Sequence, residues 1–165
     1  MIERIAACRC RKVCLSARGE PIVCAICYCP DCQAGGRLLE SHGASNDFRD
    51  AWDGMPYATY RNDRLQVVEG QSLIEGVKLR PDAPTTRYMT TCCNSAMYLK
   101  YGPGWWSSIY RSRLGDAAPQ IQMRNKVAHA KNRATLPADV PTYESFPPTL
   151  FAKLLLAGVG TLLRL

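Results

Sequence analysis

Cysteine offers this 165-residue chain most of its chemistry, because seven of its nine cysteines stand in three tight groups. The groups are Cys8-Arg9-Cys10, Cys27-Tyr28-Cys29-Pro30-Asp31-Cys32 and Cys92-Cys93. Thiolates are soft ligands that select zinc over magnesium or calcium, and zinc takes four ligands in tetrahedral geometry. The clustering and the odd cysteine total favour metal binding over a disulfide scaffold. The sequence therefore predicts zinc sites.

The first and third groups together supply four thiols, which is enough for one closed zinc site. On a strand, Cys8 and Cys10 would point to the same face and could reach one ion. Cys92 and Cys93 are neighbours in the chain, so they can share an ion only if they lie on a turn. These four cysteines predict a structural zinc that ties an N-terminal strand to a distant part of the chain.

The middle group supplies three thiols, from Cys27, Cys29 and Cys32, and leaves one coordination position for an exchangeable ligand. Catalytic zinc sites use this arrangement, because substrate or water must reach the metal. The alternative is one closed site in which Cys24 joins the same three residues, since both pairs then have Cys-x-x-Cys spacing. Only Tyr28 separates those pairs, whereas ordinary zinc ribbons use a long intervening loop, so the open site is the preferred interpretation.

Short strands must position these groups, and their close spacing predicts a mainly β fold. The predicted strands cover residues 2–13, 21–28, 57–60, 65–69, 76–79, 87–89 and 96–101. A turn over residues 17–20 is predicted to join the first two strands. A short helix is permitted over residues 33–40, although Gly35 and Gly36 interrupt its pattern.

The chain divides into a zinc-binding domain, residues 1–145, and an apolar tail, residues 146–165. In the tail, Pro147-Pro148 precedes a run over residues 150–165 that is predicted to form a helix. Such a helix would span ~24 Å, which is short of the ~30 Å hydrocarbon core of a bilayer. We expect it to dock on its own domain or on a second subunit, with contact to a membrane surface as the alternative. The oligomeric state stays open.

The composition is that of a globular protein, with 47% hydrophobic and 21% charged residues. The formal net charge of +7 favours acidic partners. The one local basic cluster consists of Arg124, Lys126, His129, Lys131 and Arg133. It lacks interleaved aromatic residues, so nucleic-acid binding is not predicted. Residues 1–7 do not resemble a secretory signal, and the free thiols suit a reducing compartment, which together predict a cytoplasmic location.

The cysteine motifs resemble those of the glutathione-dependent formaldehyde-activating enzyme family, which includes the centromere protein V domain. That family opens with Cys-x-Cys-Gly, continues with Cys-His-Cys-x-x-Cys-Arg and later has Arg-x-Phe-Cys-x-x-Cys-Gly. The corresponding segments here are Cys8-Arg9-Cys10-Arg11, Cys27-Tyr28-Cys29-Pro30-Asp31-Cys32-Gln33 and Arg87-Tyr88-Met89-Thr90-Thr91-Cys92-Cys93-Asn94. The resemblance covers residues 7–101. Thr90 stands where the third motif has its first cysteine, which leaves either Thr90 or Cys92 to complete the structural site.

The resemblance implies a β-tent fold, similar to Mss4, in which zinc holds small antiparallel sheets together. It implies two zinc ions per chain, a structural one at the first and third motifs and a catalytic one at the middle motif. It also implies carbon–sulfur lyase chemistry on an adduct of a small thiol such as glutathione. The alternative is a non-catalytic zinc module that binds a partner, as the centromere protein V relatives bind chromatin or microtubules.

Five further residues are candidates for supporting roles. Arg37 or Arg87 would assist an acidic substrate, or each would be an ordinary surface arginine. Asp31 is a candidate general base by its position, or it caps the metal-binding turn. Cys14 and Cys24 stay outside the three groups and are interpreted as small buried residues. Redox sensing by these two cysteines is the weaker alternative, because neither has a basic neighbourhood that would lower its pKa.

Overall fold

The structure is a computed structural model that describes residues 2–163. It confirms a mainly β fold, in which eleven strands of the described chain form two sheets accompanied by two α-helices. The strands are β1 Glu3–Ala7, β2 Cys14–Arg18, β3 Val23–Cys27, β4 Met55–Arg61, β5 Leu65–Glu69, β6 Ile74–Val77, β7 Thr85–Thr90, β8 Ala96–Tyr101, β9 Trp106–Tyr110, β10 Met123–Asn125 and β11 Thr142–Tyr143. The helices are α1 Pro30–Ser41 and α2 Pro148–Leu162.

The two sheets differ in size and in strand direction. The smaller sheet is antiparallel, with the order β1-β2-β5. The larger sheet has the order β11-β10-β3-β4-β9-β8-β7-β6. Its strands are antiparallel except that β10 runs parallel to both of its neighbours, β11 and β3. The long connections between non-consecutive neighbours bring segments far apart in sequence into one sheet.

The prediction of one strand over residues 2–13 is wrong. The structure has β1, then a turn that contains Cys8 and Cys10, and then β2, which sequence reasoning missed. The backbone amide of Cys8 donates to the carbonyl of Val13 at 3.0 Å and so closes the turn. Arg11 adopts a left-handed φ of 61°, which a continuous strand cannot contain. A turn, and not strand alternation, is therefore what brings the two sulfurs together.

Helix α1 begins three residues earlier than predicted, at Pro30. Proline is well suited to the first helical position, and the side chain of Cys29 caps the helix, so the metal-binding segment itself starts it. Gly35 and Gly36 do not interrupt the helix but lie on its buried face. A Cβ at Gly35 would overlap the guanidinium of Arg87, which lies directly against the helix backbone.

One face of the larger sheet gathers residues from five of its strands. Cys27 pairs with Met55 and Tyr57 pairs with Tyr110, while Arg87 pairs with Leu99 two strands further along. Directly paired residues of antiparallel strands project from the same face of a sheet. Helix α1 covers this face, where the core contains Leu39, Ala44, Phe48, Met55, Tyr57, Met89, Ala96, Leu99 and Tyr110. The fold thus places Arg87 and two tyrosines under the helix that carries the middle cysteine group.

The opposite face of the larger sheet packs against the smaller sheet. That second core contains Ala6, Cys8, Val13, Leu15, Ala17, Cys24, Ala58, Tyr60, Met97, Ile109 and Leu114. Cys92 and Cys93 pack at its edge. The first and third cysteine groups therefore lie where the two sheets meet, on the other side of the larger sheet from α1.

Helix α2 covers residues Pro148–Leu162 of the tail that was predicted over residues 150–165, and residues 164 and 165 lie outside the described part. Leu150 and Leu154 pack on β3 and β10, and the indole of Trp105 donates to the carbonyl of Leu154 at 2.8 Å. The outer side chains are exposed, namely Phe151, Leu155, Leu156, Val159, Leu162 and Leu163. Among residues 2–163, no helix has both the length and the hydropathy that crossing a bilayer requires.

Deletion of residues 148–165 is expected to cause aggregation or a change in oligomer size, because it uncovers an apolar patch of Val23, Ala25 and Met123. Light scattering after size-exclusion chromatography measures this. The matched control replaces the outer residues Leu155 and Leu156 by glutamine, which should leave the monomer fold intact. Co-sedimentation of the full chain with anionic liposomes that disappears on truncation would contradict docking and indicate a membrane-surface helix.

Candidate metal centres

The first and third cysteine groups form one cluster in which all four sulfurs lie within 4.8 Å of one another. The sulfur of Cys10 lies 3.6 Å from that of Cys8 and 3.3 Å from that of Cys92. Cys92 is in turn 4.0 Å from Cys8 and 3.9 Å from Cys93, sulfur to sulfur. Four sulfurs at ~2.3 Å from a zinc ion are separated by about 3.8 Å in a tetrahedron. The spacing therefore fits a tetrahedral metal ion.

Two turns with matching hydrogen bonds hold this cluster. In the first, the amide of Val13 donates to the sulfur of Cys8 at 3.3 Å, and the amide of Cys8 donates to the carbonyl of Val13. In the other, the amide of Ser95 donates to the hydroxyl of Thr90 at 3.0 Å, and the amide of Thr90 donates to the carbonyl of Ser95. Thr90 thus occupies the position that Cys8 occupies in the first turn. Because Thr90 has no thiol, Cys92 supplies the sulfur that joins the cluster from the second turn.

Cys93 is the thiol of this cluster that is best prepared to ionise. Burial alone would raise its pKa, but hydrogen bonds from the hydroxyls of Ser95 and Thr90, together with those from the backbone and side chain of Cys10, outweigh burial and lower the pKa of Cys93 to about 5. The Ser95 oxygen lies 3.2 Å from the sulfur and the Thr90 oxygen 3.4 Å. A thiolate, and not a thiol, is the form that ligates a metal ion. Thr90 therefore supports the site as a hydrogen-bond donor to a ligand.

The middle group forms a second cluster, in which the sulfurs of Cys27, Cys29 and Cys32 lie within 4.8 Å of one another. Cys27 ends β3, Cys29 caps α1 and Cys32 lies in its first turn. Among residues 2–163, no fourth histidine, cysteine or carboxylate joins this group. Cys24 lies on the opposite face of β3, where its thiol donates to the carbonyl of Pro119 at 3.5 Å. The four-cysteine alternative that included Cys24 is therefore wrong.

Cys29 is the most acidic thiol of the middle group. Hydrogen bonds from the thiols of Cys27 and Cys32, and from the backbone amide of Cys32 at 3.3 Å, lower the pKa of Cys29 to about 3. The positive charge of Arg87 acts in the same direction. As the donor to Cys29, Cys27 has its pKa raised to about 12. The start of a helix favours a thiolate at this position, as metal binding requires.

Three buried polar side chains border the middle group. The hydroxyl of Tyr57 is 3.9 Å from the sulfur of Cys32, and the rings of Tyr57 and Tyr110 are 5.2 Å apart. Arg87 is only 2% exposed, and its Nη2 donates to the carbonyl of Asp31 at 2.7 Å. Sequence reasoning named Arg87 as one of two candidate arginines and missed both tyrosines. Only the strand register brings these residues to the thiols, and the register leaves no local pattern in the sequence.

The other candidates lie elsewhere or act indirectly. Arg37 is exposed and forms an ion pair of 3.6 Å with Asp53. The side chain of Asp31 is exposed in the first turn of α1, where a negative charge complements the helix dipole. Burial raises the pKa of Cys24 to about 11, and burial likewise raises the pKa of Cys14. A raised pKa disfavours the thiolate that redox sensing requires, and Cys24 is buried as expected whereas Cys14 is only half-buried.

Comparison with known proteins does not assign this chain to a family. No family model matches it, and no curated protein matches it. Among solved structures, the chain is similar to a Rhodobacter sphaeroides protein whose crystal structure was determined as a Northeast Structural Genomics target. The two sequences are 15% identical, and the match covers 84% of this chain and 98% of the other with a TM-score of 0.48. A likeness at this level says nothing about activity.

Proposed function

We propose that this chain binds two zinc ions and is a carbon–sulfur lyase-like enzyme that acts on an adduct of a small thiol, of the glutathione type. The observation that carries the proposal is the middle cluster, in which the sulfurs of Cys27, Cys29 and Cys32 could hold one ion and no fourth histidine, cysteine or carboxylate among residues 2–163 joins them. A metal ion held by these three residues would keep one position for a substrate. The cluster at Cys8, Cys10, Cys92 and Cys93 would hold the structural zinc. All nine cysteines are free, as a cytoplasmic location requires.

Two backbone conformations support the proposed relation to the glutathione-dependent formaldehyde-activating family. Arg11 and Asn94 replace glycines of the family's first and third motifs. Both residues have left-handed φ angles, 61° at Arg11 and 52° at Asn94, which glycine adopts without strain. Glycine at these motif positions would suit the same two turns, which this chain forms with residues that tolerate the conformation less well.

The proposed reaction makes or breaks the carbon–sulfur bond of an S-hydroxymethyl thiol. In the breaking direction, the bonding electron pair stays on sulfur while the hydroxyl proton leaves and the carbonyl of formaldehyde forms. Zinc at the middle cluster would supply a Lewis acid that lowers the pKa of the departing thiol. The chain's own contribution is to hold three thiolates, with Cys29 ionised most readily, in a half-buried position at the start of α1.

The test is exchange between formaldehyde and a thiol, followed by carbon-13 exchange NMR on zinc-loaded protein with glutathione and a second small thiol. We expect the full chain to accelerate exchange at least ~tenfold over the uncatalysed rate. Cys32→Ser should remove the acceleration, whereas the matched change Cys14→Ser should retain it. A wild-type protein with both metal ions and no acceleration would exclude the enzyme.

One observation favours a second function, a non-catalytic zinc module that binds a protein partner. The outer face of α2 exposes six large apolar residues: Phe151, Leu155, Leu156, Val159, Leu162 and Leu163. Contiguous apolar surface of this kind marks interaction sites. A module of this kind would need no exchangeable ligand at the middle cluster. The formaldehyde–thiol exchange experiment therefore distinguishes the two functions.

A further inference from the structure

Two buried side chains beside the middle cluster have hydrogen-bonding groups that the described chain leaves unused. Nε and Nη1 of Arg87 have no hydrogen-bond partner among residues 2–163, and neither does the hydroxyl of Tyr110. Leaving a buried donor unsatisfied costs about 1–3 kcal/mol, and more for a charged group. A buried unsatisfied group calls for an explanation, and a bound water, an ion or a ligand can provide one.

The unused groups lie together against the thiols. The register of the larger sheet places Arg87, Tyr57 and Tyr110 on the face that α1 covers. Tyr57 contacts the sulfur of Cys32 at 3.9 Å, and its ring lies 5.2 Å from that of Tyr110. Nη2 of Arg87 is bonded to the carbonyl of Asp31, which immediately precedes Cys32 in the chain.

The positive charge of Arg87 has no carboxylate partner among the described residues. A buried cation without a counter-charge is strongly unfavourable, so negative charge must lie nearby, and the thiolates of the middle group are one source of it. The helix also makes room for the guanidinium at Gly35, where any side chain would overlap it. Glycine inside a helix costs about 1 kcal/mol relative to alanine. Gly35 therefore lowers the stability of α1 but leaves space for this cation beside the thiols.

We infer that Arg87, Tyr57 and Tyr110 form a binding site for the charged end of a small anionic ligand, directly beside the three-thiol metal site. A guanidinium donates strong charge-assisted hydrogen bonds to anions, and the hydroxyl of Tyr110 is a neutral donor near it. Tyr57, whose hydroxyl donates to the sulfur of Cys32, connects this group to the thiols. The inference deepens the proposed function and rests on it for the identity of the natural ligand. A thiol adduct that develops negative charge on sulfur or oxygen is such a ligand.

The test uses the full chain loaded with cobalt, whose visible absorption reports the coordination of the metal, and azide as the anionic probe. We expect azide to change the spectrum, because the middle site has an exchangeable position while the four-thiol site does not. Arg87→Met should weaken azide binding by ~tenfold or more, which is the loss of a charged hydrogen bond. Binding of neutral imidazole should change less than ~twofold, because imidazole does not need the cation.

Tyr110→Phe provides a second variant, which removes one oxygen from a packed residue and keeps the test decisive if Arg87→Met fails to fold. We expect it to weaken azide binding by about threefold. Tyr60→Phe is the matched control, because Tyr60 is a buried tyrosine of the other core and should not affect azide. Equal weakening of azide and imidazole by these variants would overturn the inference and indicate a purely structural role.

Different experimental results would overturn the anion site and the proposed enzyme activity. Exchange activity with azide binding that does not depend on Arg87 or Tyr110 would overturn the anion site and leave the enzyme standing. Azide binding that depends on Arg87, in a protein without exchange activity, would uphold the anion site and overturn the enzyme. Wild-type protein with metal at both clusters and no azide response would also overturn the anion site.

Discussion

Each of the substitutions Cys10→Ser and Cys93→Ser is expected to lower the free energy of unfolding by ~3 kcal/mol or more, because each removes a thiol from the four-thiol cluster. This cluster joins the turn after β1 to the turn after β7, two segments more than 80 residues apart in sequence. A metal ion there would link the smaller sheet to the larger one, so its loss should loosen the core between them. Chemical denaturation and elemental analysis of each variant measure the effect.

The same measurements on Cys29→Ser and Cys32→Ser provide the contrast. These changes alter the middle cluster under α1, and they should leave a folded protein that carries one zinc ion in place of two. Cys14→Ser is the control outside both clusters, and it should retain both ions and near wild-type stability. Equal unfolding by changes in the two clusters would show that the division into a structural and an open site is wrong.

Gly35→Ala should destabilise the protein by ~2 kcal/mol, although alanine normally stabilises a helix by about 1 kcal/mol relative to glycine. The added methyl group would overlap the guanidinium of Arg87. That guanidinium cannot move away cheaply, because it is almost fully buried and is bonded to the carbonyl of Asp31. Urea denaturation of the variant measures the change in the free energy of unfolding.

The control for this prediction is a double-mutant cycle with Arg87→Ala. When the guanidinium is absent, the added methyl group has space, and Gly35→Ala should become neutral or stabilising by up to about 1 kcal/mol. If Gly35→Ala is equally destabilising in both backgrounds, the guanidinium does not explain the glycine, and the placement of Arg87 against α1 is wrong.

Predictions from the sequence succeeded where short-range chemistry dominates. The strands at residues 65–69 and 96–101 have the predicted bounds, because their apolar-rich runs end at turn-forming residues. The turn required for Cys92 and Cys93 to share an ion is present as well. The helix at residues 30–41 was predicted too short, since Cys29 was not recognised as its cap.

Predictions failed where distant parts of the chain decide the conformation. The predicted strand over residues 2–13 is interrupted because Arg11 adopts a left-handed conformation. An arginine in the sequence does not indicate that conformation. Strands β9 to β11 were not predicted, and β9 is the strand that carries Tyr110 into the site. The pairing of Tyr57 with Tyr110 depends on register across the sheet, which non-local hydrogen bonds set.

The sequence by itself determined the kind of chemistry, because the spacing of cysteines selects a soft metal and divides the thiols into four and three. Tertiary structure alone decided which residues complete and surround each cluster. The hydrogen bonding of two similar turns places Thr90 beside Cys93 as a hydrogen-bond partner, and the sulfur of Cys92 joins the four-thiol cluster. Strand alternation removes Cys24 from the middle cluster, and sheet register brings Arg87 to it from four strands away. These outcomes depend on contacts between residues that are remote in sequence, and such contacts exist only once the sheets have formed.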